Sequence, residues 1–259
     1  PSAPIDVTVD TTAPTAPVIT SPTDGSSTND PTPTISGTAE PGSTVDVTDG
    51  AGNPVCTAVA DASGNWSCTP TTPLPEGTTP LTATVTDPAG NTSPPSTPID
   101  VVVDTTAPTA PAITAPTDGS STNDDTPLIS GTAEPGSTVD VTDGSGNPVC
   151  TAVADAAGNW SCTPTNPLPE GTTTLTATPT DPAGNVGSPS APIDVVVDTT
   201  APTAPAITSP TDGSSTNDDT PTLSGTAEPG STVDVTDGSG NPVCTAVADA
   251  AGNWSCTPT

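Results

Sequence analysis

The sequence contains no Lys, no Arg and no His. Thirty Asp and Glu residues stand without one basic side chain, for a formal net charge of −30. No salt bridge between side chains can form within the chain. Nucleic acid needs a basic footprint and is excluded as a partner. Anionic membrane surfaces are disfavoured for the same reason, and no direct membrane insertion is expected. The usual groups for nucleophile activation and oxyanion support are missing, because Tyr is absent as well. A glycosidase-type pair of carboxylates would need a cleft, which small repeated domains offer poorly. We expect no catalytic residues and no enzyme activity. The repulsion among the carboxylates must be relieved from outside the chain, by bound or condensed cations.

What is present is a repeat. Asp10, Asp104 and Asp198 each open the string DTTAPTAP, at an interval of 94 residues. The same interval carries Cys56 to Cys150 to Cys244 and Trp66 to Trp160 to Trp254. An exact period marks a tandem array. The frame predicts the last strand of a preceding repeat at 1–9, complete repeats at 10–103 and 104–197, and a truncated repeat at 198–259. This is the pattern of a window cut from a longer array. With 37 Pro and 23 Gly the chain approaches the composition of disordered segments. A disordered coil, however, has no reason to hold Val-x-Val, Leu-x-Ala and Ile-x-Val at constant offsets.

Within 10–103 the pattern predicts seven short strands and no helix. They are centred on Val18-Ile19-Thr20, Pro33–Ala39, Thr44–Thr48, Val55–Ala60, Asn65–Thr69, Leu81–Val85 and Ile99–Val103. Ser21–Pro31 reads as turn throughout. Seven strands with turns every 8–12 residues predict an all-β chain of tandem, immunoglobulin-like Greek-key sandwiches, arranged as an elongated rod. Pro179, which replaces Val85 in the second repeat, predicts an edge position or a bulge there.

Six Cys fall as one pair per repeat in the frame CTAVADxxGNWSC. This predicts the disulfides Cys56–Cys68, Cys150–Cys162 and Cys244–Cys256 and an oxidising, extracellular setting. A hairpin register opposing Cys56 to Cys68 and Ala58 to Trp66 would make the sulfurs cross-strand neighbours. Free buried thiols or half of a metal site are the other readings. With no His and two Cys per repeat, zinc is disfavoured. Trp66, Trp160 and Trp254 share the face of the cysteines, so they read as core residues against the bridge. The other reading is an exposed platform for stacking sugars.

In a sandwich of this kind the start of the first strand and three turns lie at one end. That places Asp10, Glu40, Asp61 and Asp87 together in the first repeat. The second repeat gathers Asp104, Glu134, Asp155 and Asp181, and the third Asp198, Glu228 and Asp249. Clustered hard oxygen ligands suit Ca2+. An ion there would fix the linker and stabilise the fold by mass action. Read singly, each Asp is a solvated turn residue.

The strings GTAEPGSTV, GNWS and TDPAGN, followed by VDTTAPTAP, resemble the bacterial Ig-like repeats of giant surface adhesins. Biofilm-associated proteins and large type I-secreted adhesins belong to this group. The resemblance spans every complete repeat. It implies a stalk that holds a distal adhesive domain away from the cell in surface attachment and biofilm formation, stiffened by interdomain calcium. It implies neighbouring repeats of the same chain as the first partners. The Cys pair and the total lack of basic residues depart from the pattern. Two alternatives stand beside the stalk: a subunit of a polymerising extracellular filament, in which like chains pack together, and a glycan- or host-protein-binding module.

Overall fold

The fold is described from a computed structural model that covers residue 3 and residues 5–258. Pro1, Ser2 and Pro4 of the segment 1–9, and Thr259 of the third repeat, lie outside the described residues. Residues 5–9 form no strand, and Ile5, Val7 and Val9 are exposed. Their equivalents at 99–103 are held between two strands of their own repeat. The chain forms two compact units, Pro1–Val197 and Asp198–Thr259. The first two repeats therefore make one unit and the truncated repeat another.

The first repeat has eight strands: β1 (Val18–Ser21), β2 (Ser26–Thr28), β3 (Ile35–Thr38), β4 (Thr44–Asp49), β5 (Pro54–Val59), β6 (Asn65–Cys68), β7 (Gly77–Thr86) and β8 (Ile99–Val103). They build a three-stranded sheet, β1-β3-β6, and a five-stranded sheet, β2-β8-β7-β4-β5. The second repeat repeats this plan from β9 (Ala112–Ala115) to β16 (Ile193–Val197). In the third, β17 (Ala206–Ser209), β18 (Leu223–Thr226) and β21 (Asn253–Cys256) form one sheet, and β19 (Thr232–Thr236) and β20 (Pro242–Val247) the other. The described residues contain no helix.

Period-two alternation drives the packing. Val45 and Val47 of β4, Leu81, Ala83 and Val85 of β7, and Val101 and Val103 of β8 point inward and are fully or almost fully buried. Asp46 and Thr57 face outward and meet across β4 and β5 through a hydrogen bond of 2.8 Å. From the opposite sheet, Ile35 and Trp66 close the core. Fully burying a side chain of the Val or Leu class stabilises by about 1.5–3 kcal/mol, so a core this small leaves little margin.

Trp66 lies over a glycine. Its partner across the ladder is Gly37, where a Cβ would collide with the Val18 carbonyl oxygen and sit 2.9 Å from Trp66 Cζ2. The pair recurs at Gly131–Trp160 and Gly225–Trp254. All three indoles are buried, and their Nε1 atoms find no partner among the described residues. The chain's aromatic residues thus offer no exposed stacking platform.

Three expectations need correction. First, Ser26–Thr28, expected to be turn, is a strand that pairs in parallel with β8, Ser26 against Val101 and Thr28 against Val103. It has no hydrophobic alternation, and its neighbour alone makes it a strand. Second, β5 and β6 are not a hairpin. Cys56 pairs with Val47 in one sheet, and Cys68 with Ile35 in the other. The turn between them switches sheets, because Ala60 N–H still donates to Ser43 O at 3.0 Å while Ala39 N–H donates to Gly64 O at 2.8 Å. The disulfides at Cys56–Cys68, Cys150–Cys162 and Cys244–Cys256, each with Cα atoms 5.9 Å apart, therefore staple the two sheets together along their open edges. Third, Pro179 makes no bulge. It lies in β15 (Gly171–Thr180), the middle strand of its sheet, and pairs with Val139 in an unshifted register, but β16 pairs only with residues 171–175, so on its other side the expected edge position holds locally.

Candidate functional site

The carboxylates are best understood turn by turn. The string D-x-x-G-N occurs eight times, at 49–53, 61–65, 87–91, 143–147, 155–159, 181–185, 237–241 and 249–253. Every copy folds alike. The Asp N–H donates to the Asn carbonyl at 2.8–3.1 Å, and the Gly N–H to the Asp carbonyl at 2.9–3.1 Å. The Asp Oδ1 accepts the Asn N–H at 2.8–2.9 Å. Gly is required at the fourth place, where φ is 80–96°. In the first repeat the Asn53 and Asn91 amides also donate to Asp49 Oδ2 and Asp87 Oδ2, each at 2.8 Å, while Asn65 reaches Asp61 Oδ2 only at 3.5 Å.

These donors hold the carboxyls below the usual Asp range. At Asp49, Asp87, Asp143 and Asp237 the largest cause is the Asn side-chain amide. At Asp61, Asp155 and Asp249 it is the Asn backbone N–H. At Asp181 desolvation is largest and pushes the carboxyl up, but the Asn185 amide and the N–H groups of Asn185, Gly184 and Ala183 together outweigh it. A carboxylate that accepts several N–H bonds is favoured in its charged form.

The remaining sequence-predicted ligands are placed as follows. Asp10, Asp104 and Asp198 accept the N–H two residues on, from Thr12, Thr106 and Thr200, at 2.9, 3.0 and 3.1 Å. Glu40, Glu134 and Glu228 cap their turns through the main chain, their carbonyls accepting the hydroxyls of Ser43, Ser137 and Ser231. The Glu40 and Asp61 turns are brought side by side by Gly42 N–H donating to Ala60 O at 2.9 Å. Asp10 and Asp87 are bridged by one amide, since Asn91 Nδ2 also donates to Asp10 O at 3.1 Å. Asp104 and Asp181 share Asn185 in the same way. Among the described residues no group of three or more His, Cys, Asp or Glu side chains lies where it could hold one metal ion.

The joint between the first two repeats is made by residues that the sequence reading passed over. Asn29 N–H donates to Ala183 O at 3.1 Å, linking the β2–β3 loop to the 181–185 turn. Glu76, in the Pro-rich crossing before β7, accepts Thr105 N–H at 2.9 Å and the hydroxyls of Thr105 and Thr106 at 3.2–3.3 Å. The D-x-x-G-N string recurs three times in each complete repeat and twice in the third, so its recurrence at spacings shorter than 94 residues marks it in the sequence. Glu76 carries no such signal.

Residues 18–105 and 113–199 match the model of the bacterial Ig-like domain, and residues 201–259 that of the bacterial Ig domain. The chain belongs to the bacterial Ig-like domains. No curated protein matches it. Among solved structures it is similar to the tetra-tandem repeat in the extending region of a large adhesion protein, with 28% identity over 95% of this chain and 66% of that one, at a TM-score of 0.31. It is also similar to the fibronectin(III)-like modules of Clostridium thermocellum CbhA, with 20% identity over 70% of this chain and 93% of that one, at a TM-score of 0.48. A third is a 1.5-MDa bacterial ice-binding adhesin, with 22% identity over 87% of this chain and 79% of that one, at a TM-score of 0.32.

Proposed function

We propose that this chain is a length of stalk in an extracellular bacterial adhesin, serving surface attachment and biofilm formation as a spacer that bears tension. The observation that supports this most directly is the parallel pairing of β2 with β8. These strands lie near the start and at the end of one repeat. A pull along the chain therefore loads their hydrogen bonds in shear and together, rather than peeling them singly. The ladder is extended at both ends, by Gly25 N–H donating to Asp100 O at 2.8 Å and Asp104 N–H to Thr28 O at 3.0 Å. The inter-sheet disulfides fit an oxidising, extracellular location. Single-molecule pulling tests the reading. Each complete repeat is expected to yield as one cooperative event, and Thr28→Pro, at the β2 residue whose main chain faces β8, to lower its rupture force. Gradual extension without discrete events sinks the spacer role.

We propose in addition that Ca2+ binds near Asp104 and the equivalent Asp10 and Asp198, with Glu40, Asp61 and Asp87 and their counterparts at Glu134, Asp155, Asp181, Glu228 and Asp249 adding negative field. The donors present are hard oxygens, which is the chemistry Ca2+ accepts. Carbonyl oxygens and water would have to complete the shell, and an affinity of roughly 0.1–1 mM, that of extracellular modules, is expected. Calorimetry in calcium and in chelator tests this part. An unchanged melting temperature removes calcium and leaves the stalk reading standing.

A further inference from the structure

We propose that residues 104–111 are a strap clasped from both sides, and that this clasp fixes the joint between the first two repeats through the chain's own hydrogen bonds. On the side of the first repeat, Asp104 N–H continues the β2–β8 ladder onto Thr28 O at 3.0 Å. Glu76 then takes up the N–H of Thr105 at 2.9 Å and the hydroxyls of both Thr105 and Thr106. A carboxylate that gathers several donors from consecutive residues fixes direction as well as distance.

On the side of the second repeat, Asn185 Nδ2 donates to Asp104 O at 2.7 Å. Its orientation is set by Asp181, whose Oδ2 accepts the same amide at 2.8 Å. Further along, Pro108 and Pro111 are buried while the residues between them are exposed. Extended proline-rich backbone has three residues per turn, so these two rings share the face that lies on the second repeat. The Pro108 carbonyl approaches Gly187 so closely that a Cβ there would collide with it. Asn29 N–H closes the joint directly on Ala183 O at 3.1 Å.

The third repeat supplies an internal control. It has the same DTTAPTAP string but no residues equivalent to 181–185, and its Pro202 and Pro205 are exposed. The proline string alone does not seat itself; it is buried where the part of the repeat at 166–197 is present, and within that part Asn185 is the side chain that bonds Asp104. Glu76 and Asn185 are thus positioning residues for the joint.

This inference rests on the spacer reading for its purpose but not for its geometry, and the two can fail separately. Residual dipolar couplings of the isotope-labelled full chain, recorded in chelator, report whether the two repeats share one alignment tensor. The wild type is expected to show a common tensor for residues 18–103 and 112–197. Glu76→Ala and Asn185→Ala are each expected to split it into two, while the amide spectrum within each repeat stays folded. Thr105→Val with Thr106→Val removes the hydroxyl donors without touching any turn, and is expected to weaken the common alignment even if Asn185→Ala disturbs its loop. Independent tensors in chelator that merge on adding Ca2+ overturn the clasp and favour the ion. A common tensor that survives Glu76→Ala and Asn185→Ala together also overturns it. Neither result touches the pulling experiment on which the spacer reading depends.

Discussion

Pro179 and Gly187 stand in the second repeat where Val85 and Ser93 stand in the first, and the two replacements compensate each other. In the first repeat, Val85 N–H donates to Ser93 Oγ at 3.0 Å. In the second, Pro179 has no N–H to donate and Gly187 has no hydroxyl to receive it. The main-chain bond persists, from Ser93 N–H to Val85 O at 2.8 Å and from Gly187 N–H to Pro179 O at 2.9 Å. A Cβ at Gly187 would lie 2.8 Å from the proline ring. The proline is tolerated in a central strand because at this place the strand has no neighbouring strand on its N–H side, and the first repeat uses that N–H only for the Ser93 side chain.

That relationship predicts a double-mutant cycle. Pro179→Val alone leaves a buried N–H without its acceptor, a cost of about 1–3 kcal/mol. Gly187→Ser alone drives a side chain into the ring and the Pro108 carbonyl. Together the two changes rebuild the first repeat's arrangement around the strand, and urea denaturation should recover part of both losses. Additive losses would show that the positions are not coupled.

Gly37→Ala should be among the most damaging single-methyl additions in the first repeat. The new carbon collides with the Val18 carbonyl and presses on the Trp66 ring. Overpacking of this kind costs about 1–3 kcal/mol and more where backbone must move. Trp fluorescence would follow the loss, and Gly42→Ala, where a Cβ meets nothing within 4 Å but φ is 78°, should act through backbone strain alone.

Acid should unfold the repeats through the turns. The eight D-x-x-G-N carboxyls are held below their ordinary value in the fold. A depressed pKa contributes stability that is fully present above the unfolded value of about 3.9 and is lost as pH falls through the folded one. Urea midpoints should therefore be flat from about pH 5 upward, where these groups are ionised in both states, and drop below about pH 4. A midpoint that rises on acidification would mean that relief of charge repulsion outweighs the turn bonds.

Reduction of Cys56–Cys68 should cost about 3 kcal/mol, the chain-entropy value for a loop this short. Pulling gives an independent readout. The bridge shields a separation of 12 residues across 5.9 Å. At about 3.4 Å per residue, each complete repeat should release roughly 35 Å more contour length in reductant. An unchanged length would mean that the bridge is not formed in the protein.

Much of this was legible in the sequence, and the failures have one physical cause. Alternation placed β4, β7 and β8, because inward Val45, Leu81 and Val101 must be buried whatever surrounds them. The spacing of Cys56 and Cys68 named the pair but not its geometry. Opposed indices describe a hairpin, whereas the 61–65 turn hands the chain to the other sheet and leaves the two Cα atoms at bridging distance all the same. Asp61 and Asp87 read equally well as ligands or as turn formers, and only their hydrogen-bond partners show how fully the turns engage them.

The sequence by itself determined the period, the strands with a hydrophobic face, the cysteine partners and the lack of any cation within the chain, because each follows from local composition or exact recurrence. Tertiary structure decided the rest. Ser26-Ser27-Thr28 and Ser214-Ser215-Thr216 are identical, yet the first is a strand and the second is not. Pro108 is buried and Pro202 is exposed in the same string. In each case the segment cannot bury itself alone, so its state is set by whether a partner, β8 or the part of the repeat at 166–197, is there to receive it.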